Sequence, residues 1–203
     1  MKQVVRPIRI LAISGSLRSA SANTAVLRAA IALAPGDLAI ALYDGLAELP
    51  HFNPDHDGAG TPSSVADFRR QLATADGIII SSPEYAHGVP GVLKNALDWL
   101  VRSGEFVDKP VALISASSRA TWAMASLTET LTVMSAKLIE DACIVLPLST
   151  NRIDETTLVA SSEISLLLRK ALAAFVEAVR HEQRASHNLI AAEPPSNIQP
   201  TTA

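Results

Sequence analysis

Gly77-Ile78-Ile79-Ile80-Ser81-Ser82-Pro83-Glu84-Tyr85-Ala86-His87-Gly88-Val89-Pro90-Gly91 is the stretch that decides the fold. Its opening is apolar and β-branched without polar alternation, the pattern of a parallel strand buried on both faces, and Ser81-Ser82-Pro83 ends it. Pro90 then opens a helix at the position where a missing N–H costs nothing. Ligands of open α/β sheets bind beyond the carboxyl ends of the strands. The loop between, with Glu84, Tyr85 and His87, is therefore a candidate site wall.

Working outward, the same grammar repeats. Residues 8–13 and 38–43 read as strands, and a helix over 21–34 joins them, capped by Ser19 or Ser21 and stopped by Pro35-Gly36-Asp37. A long polar connection, 44–61, precedes a helix over 62–74 whose Val65, Phe68, Leu72 and Ala73 share a face. Downstream, Val111-Ala112-Leu113-Ile114-Ser115 is a fourth buried strand with a serine-rich exit. The pattern then predicts a helix over 121–136, a fifth strand within 137–146 and one long closing helix over 155–184. Beyond Ala185, the Pro-rich end reads as a disordered tail, residues 185–203. No internal repeat stands out. Strands alternating with helices imply an α/β, doubly wound five-stranded parallel sheet in three layers, α/β/α. Short right-handed crossovers give the flavodoxin-like order 2-1-3-4-5, whose switch point lies between strands 1 and 3.

Composition removes several classes of function. With 17 Lys and Arg against 20 Asp and Glu, the net charge of −3 leaves no basic excess for a phosphate backbone, so no nucleic acid partner is expected. No run approaches the roughly 18 apolar residues of a membrane helix. The short run Ile10-Leu11-Ala12-Ile13 is cut off by Arg18 where a signal peptide would need small uncharged residues. The single Cys143 makes no intrachain disulfide, and its apolar neighbours suit a buried structural thiol in a cytoplasmic protein. His51, Asp55, His56 and Asp57 lack fixed ligand spacing, so no metal is expected. A triphosphate loop, a dinucleotide fingerprint and a serine-hydrolase elbow are all missing.

Two motifs carry a resemblance. Pro83-Glu84-Tyr85, followed by Pro90-Gly91-Val92-Leu93-Lys94-Asn95-Ala96-Leu97-Asp98-Trp99, resembles the NADPH-dependent FMN reductase family, as does Gly15-Ser16-Leu17-Arg18 with Ser21, Asn23 and Thr24. The likeness covers roughly residues 8–180. It implies an FMN-binding reductase domain over residues 1–184, with NADPH or NADH as co-substrate. Electrons would pass through the flavin to a small-molecule acceptor such as a quinone, azo compound, metal oxyanion or flavin. No side chain is then required as catalyst, because the cofactor carries the chemistry. A homodimer or homotetramer is implied too, and the helix from Val92 to Val101, with Trp99, Leu100 and Val101 at one end, serves either a dimer surface or the monomer core.

The resemblance also distributes roles. Ser16, Arg18, Ser21, Asn23 and Thr24 would take the flavin phosphate, a chemistry that helix-terminal N–H groups and hydroxyls favour. Pro83, Glu84, Tyr85 and Ala86 would lie against the ring, and Ser115, Ser117 and Ser118 would flank it. The chain departs from the family at two places. Arg119-Ala120-Thr121-Trp122-Ala123-Met124 replaces a Gly-Gly-Ala-Arg run, and Ala86 stands where many relatives have Asn. Trp122 is then expected to cap the open face of the ring. A flavodoxin-type electron carrier or a flavin-binding regulatory module is the alternative, although −3 is a weak charge for a carrier that docks electrostatically.

Overall fold

A computed structural model describes residues 6–148 and 150–192. Six strands run β1 (Ile8–Ser14), β2 (Leu38–Tyr43), β3 (Gly77–Ser81), β4 (Pro110–Ser115), β5 (Lys137–Leu138) and β6 (Ile144–Val145). The order is β2-β1-β3-β4-β5, with β6 also on β4, and all pairings are parallel. This is the expected doubly wound order.

The two sides of each central strand feed two cores. Ile8, Ile10, Ala12, Ile79, Ala112 and Ile114 pack under α1 (Ala22–Leu33), α5 (Glu155–Ala160) and α6 (Ser162–Ala192). Leu11, Ile13, Ile78, Ile80, Val111 and Leu113 pack under α2 (Ser63–Thr74), α3 (Gly91–Asp98) and α4 (Thr121–Val133). Alternation along a strand buried on both faces therefore sorts side chains between two apolar layers rather than between core and water.

Two expected elements are broken. The fifth strand is interrupted by a 3-10 turn at Glu140–Ala142, because an acidic pair cannot run through a buried ladder position. Across the gap, Cys143 Sγ accepts from Leu113 N–H at 3.4 Å, standing in for the missing carbonyl. Cys143 is thus half-buried rather than enclosed, and burial still pushes its thiol pKa up. The closing helix is two helices: Ser161 adopts an extended ψ of 114° and its Oγ accepts from Ile164 N–H at 3.4 Å, capping α6. That second helix reaches Ala192, past the boundary expected at 184, and residues 193–203 of the expected tail lie outside the described residues.

The long connection after β2 is held by α3. Asn95 Oδ1 accepts from Phe52 N–H at 2.8 Å, and Asn95 Nδ2 and Trp99 Nε1 donate to Pro50 O at 3.0 and 2.8 Å. Asp57, weighed above as a metal ligand, instead pairs with Arg69 at 2.8 Å. Trp99 and Leu100 are buried in the chain's own core, and only Val101 is exposed, at 65%. The proposed dimer surface at this helix end therefore loses two of its three residues to the interior.

Candidate functional site

The site begins where β1 and β3 end side by side, Ser14 opposite Ser81. From there the chain leaves to α1 on one face of the sheet and to α3 on the other, which opens a crevice between the two loops. Gly15 makes the crossing possible. Its N–H donates to Ser81 O at 2.8 Å, and a Cβ there would sit 2.6 Å from Ser82 Oγ and 3.1 Å from Leu93 Cδ2. A side chain at residue 15 would crowd Ser82 and Leu93 where the two loops meet.

Between them lies a cleft of about 330 Å³. Ser16, Arg18, Ser21 and Asn23 form its β1 wall, and Ser82, Pro83, Glu84 and Tyr85 its β3 wall. Ala116, Ser117, Arg119 and Ala120 close the β4 side, joined by Asn151 from the segment before α5. Eight of the residues expected from sequence thus converge: Ser16, Arg18, Ser21, Asn23, Pro83, Glu84, Tyr85 and Ser117. Ala22, Ser82, Ala116, Arg119 and Ala120 stand outside the expected set, and all but Ala120 adjoin a residue within it. Nothing in the local sequence marks Asn151, which is brought in only by the path of the chain after β6.

Four expected residues stand off the cleft. Thr24 turns inward, its hydroxyl 2.8 Å from that of Ser14. Ser115 is fully buried, donating to Ser117 O at 2.8 Å to shape the third loop from beneath. Ser118 is exposed away from the cavity, and Ala86 is at the tip of a turn. Ser21 and Asn23, on the α1 side, also carry structural bonds. Ser21 Oγ caps α1 by accepting from Thr24 N–H at 3.4 Å, and Asn23 Oδ1 accepts from the buried Ser81 hydroxyl at 3.0 Å. Asn23 therefore faces the cleft while locking α1 to β3.

The β3 loop is a tight hairpin turn. Tyr85 N–H donates to Gly88 O at 3.1 Å and Gly88 N–H to Tyr85 O at 3.0 Å, with Ala86 and His87 at φ of 49° and 58°. Both central residues occupy the left-handed region, a conformation that Asn and Gly adopt readily and Ala does not. Tyr85 is left 53% exposed at the cleft mouth. Glu84 points elsewhere than its sequence position suggests: its Oε2 accepts from Ala123 N–H at 2.8 Å, capping α4, and its Oε1 lies 3.3 Å from His87 Nδ1. The bond crosses 39 residues of sequence, so no local pattern announces it. It fixes the first turn of α4, where Trp122, 62% exposed, meets the His87 ring edge-on at 5.8 Å.

The family model for NADPH-dependent FMN reductases matches residues 8–151, a stretch that holds all three loops. The chain belongs to that family. A NAD(P)H-dependent FMN reductase of Pseudomonas aeruginosa is 44% identical over 113 residues, covering 55% of this chain and 60% of the relative. A NADPH:quinone oxidoreductase of Arabidopsis thaliana is 46% identical over 114 residues, covering 53% and 57%. The chain thus spans under two thirds of the length of these curated relatives. Among solved structures, the flavoenzyme NAD(P)H:(acceptor) oxidoreductase FerB of Paracoccus denitrificans superimposes with a TM-score of 0.72 at 26% identity, covering 86% of this chain and 98% of that one.

Membership in the FMN reductase family separates two kinds of motif residue. In the Leu93-Lys94-Asn95-Ala96-Leu97-Asp98-Trp99 helix, Asn95 and Trp99 are one turn apart and both bind Pro50 O. Lys94 and Asp98 pair with each other at 2.5 Å on the outer face. The helical part of this family motif therefore holds the 44–61 connection at Pro50 and Phe52, and the cleft is left to the three loops and the start of α1. No helix among the described residues is long and apolar enough to cross a membrane.

Proposed function

We propose that this chain is a cytoplasmic NAD(P)H-dependent oxidoreductase that works through bound FMN and reduces a small quinone-type acceptor. The observation that supports the reading is the close approach at Gly15, whose N–H meets Ser81 O at 2.8 Å, so that the loops leaving β1 and β3 line one cleft. The residues present fit the group. The β1 wall is lined by Ser16, Arg18, Ser21 and the start of α1 at Ala22 and Asn23, which together offer hydroxyls, helix-terminal amides and a guanidinium, a donor set suited to a phosphate dianion. At the β3 wall, Pro83 and Tyr85 offer flat surface, and the loop backbone offers donors for the polar edge of a planar ring. Asn23 would take part from the α1 side and Ser117 from the β4 side.

When bound, the flavin supplies the redox chemistry, accepting a hydride from reduced nicotinamide and passing the electrons to the acceptor. The chain's own work is to bind, orient and shield. Glu84 acts through α4, holding its first turn against the loop. Trp122 belongs to that turn and packs on His87 outside the cleft lining, and the reading gives it the role of narrowing the approach to the ring.

Purified protein tested for flavin absorbance and for anaerobic bleaching by NADPH or NADH decides the matter. Bound FMN that bleaches promptly, followed by reoxidation with 2-methyl-1,4-naphthoquinone, supports the enzyme. Flavin that stays oxidised in the presence of both nucleotides overturns it in favour of an electron carrier, and protein that will not take up FMN overturns the flavin reading altogether.

A further inference from the structure

Two serine-arginine turns face each other across the cleft. After β1 the chain reads Ser14-Gly15-Ser16-Leu17-Arg18, and after β4 it reads Ser115-Ala116-Ser117-Ser118-Arg119. The hydrogen bonds repeat with the spacing. Ser14 Oγ accepts from Ser16 N–H at 3.3 Å and donates to Ser16 O at 3.5 Å, as Ser115 Oγ does with Ser117 N–H at 3.3 Å and Ser117 O at 2.8 Å. Ser16 Oγ then accepts from Arg18 N–H at 3.3 Å, and Ser117 Oγ from Arg119 N–H at 3.2 Å. The motif is a short repeat that a search for long periods overlooks.

Topology puts the copies on opposite walls. β1 and β4 are parallel and separated by β3 alone, so both turns leave the same end of the sheet. Their strand ends stand about 10 Å apart, from the usual spacing of about 4.8 Å between neighbours. Both arginines line the cleft, and among the described residues neither side chain forms an ion pair. The one carboxylate on the cleft wall, Glu84, is engaged by Ala123 N–H and faces His87. Two arginines therefore line the cavity with no carboxylate partner among the described residues. An FMN molecule carries a single phosphate, and the β1 wall with the α1 terminus is built for it. A phosphate there leaves the second guanidinium without a counter-ion.

We propose that the Ser115–Arg119 turn is a second anion anchor, which holds an anionic group of the second substrate while Arg18 serves the flavin phosphate. The inference rests on the FMN reading above. Two sources share the chemistry: the 2′-phosphate of NADPH, or an acidic substituent on the acceptor. The Arg119 backbone position is fixed by the turn, so the planar fork of the guanidinium is presented to either ligand from a rigid base.

The test compares wild type with Arg119→Gln. FMN affinity is measured by quenching of flavin fluorescence, and steady-state KM values are taken for NADPH against NADH and for 1,4-naphthoquinone-2-sulfonate against 2-methyl-1,4-naphthoquinone. A charge-assisted hydrogen bond of this kind is worth about tenfold or more. The expected result is an FMN Kd within twofold of wild type and a rise of about tenfold in one of the two KM ratios. A rise in NADPH over NADH names the nucleotide, and a rise in sulfonated over neutral quinone names the acceptor. Arg119→Lys should recover part of that loss, since it restores the charge without the fork.

If neither ratio moves, or if FMN binding itself weakens tenfold, the second anchor is overturned. Calorimetric titration with 2′,5′-ADP and with naphthalene-2-sulfonate keeps the anchor testable apart from turnover. Binding of either ligand to wild type that is lost in Arg119→Gln supports the anchor even in protein without flavin, and no binding of either to wild type sinks it. Absence of FMN uptake by wild type is a failure of the flavin reading instead.

Discussion

Ala86 occupies backbone that its side chain disfavours, at φ of 49°, and His87 follows it at 58°. A left-handed residue other than Gly, Asn or Asp costs about 1–2 kcal/mol. Replacing Ala86 by Gly removes that strain but adds roughly 0.5–1 kcal/mol of unfolded-chain entropy, so the net gain is small. Asn tolerates the conformation without that entropy. Ala86→Asn should therefore raise stability by about 0.5–1 kcal/mol in urea unfolding, more than Ala86→Gly does; a variant no more stable than wild type would mean the turn is not strained in solution. Gly15 makes the opposite case. A Cβ 2.6 Å from Ser82 Oγ and 3.1 Å from Leu93 Cδ2 forces those side chains to shift, and Gly15→Ala should cost about 1–3 kcal/mol, as overpacking does. Removing the hydroxyl with Ser82→Ala should return part of that loss, and a double variant as unstable as the single would show that the contact is not the cause. At this scale the sequence was only partly legible. Residue types on the three loops could be read as site chemistry, but the direction of Thr24 and Glu84 depends on partners 10 and 39 residues away, and that of Ser115 on burial at the strand end, where it folds the loop by bonding Ser117 O.

Among the elements, β1, β3 and β4 were plain because a strand buried on both faces has nothing but apolar residues to show. The fifth strand misled for a readable reason: Glu140 and Asp141 interrupt its apolar run, and the chain turns there to keep both exposed. The same holds for Ser161-Ser162, which splits the closing helix with a cap in the middle of an otherwise helical pattern. Helix α4 is tied to the site by one carboxylate. Ala120, at its N-cap position, has no side-chain acceptor, and Glu84 supplies one from the β3 loop. Glu84→Ala should then cost about 1 kcal/mol, the usual worth of a cap, while Glu84→Gln keeps an acceptor and should lose less. The loosened first turn should also expose Trp122 further. Acrylamide quenching should rise in Glu84→Ala and stay near wild type in Glu84→Gln, with buried Trp99 contributing little to either. Equal quenching in the two variants would show that the carboxylate does not hold the turn.

Across the whole molecule, the sheet edge at β2 carries a group whose titration links stability to pH. Tyr43 ends β2, lies buried and stacks on Phe68 of α2 with centroids 4.6 Å apart. Burial first, then the charges of Asp67 and Asp44, push its phenol pKa from 10.0 up to about 12. The folded state therefore favours the neutral phenol more strongly than the unfolded chain does. The stabilisation is fully present below pH 10 and is lost as pH rises towards 12, because the unfolded state releases the proton first. No hydrogen bond holds the Tyr43 hydroxyl among the described residues, so Tyr43→Phe keeps the stacked ring at little cost near neutral pH. Thermal melts should show wild type and Tyr43→Phe close together at pH 8, with wild type falling progressively below the variant between pH 10 and 12. In a Tyr85→Phe background, which leaves Tyr43 as the one tyrosine of the chain, phenolate absorbance should rise near pH 12 rather than near 10. A rise near pH 10 in protein that is still folded would mean that the edge of the sheet opens to water, and that β2 does not seal the layer beneath α2.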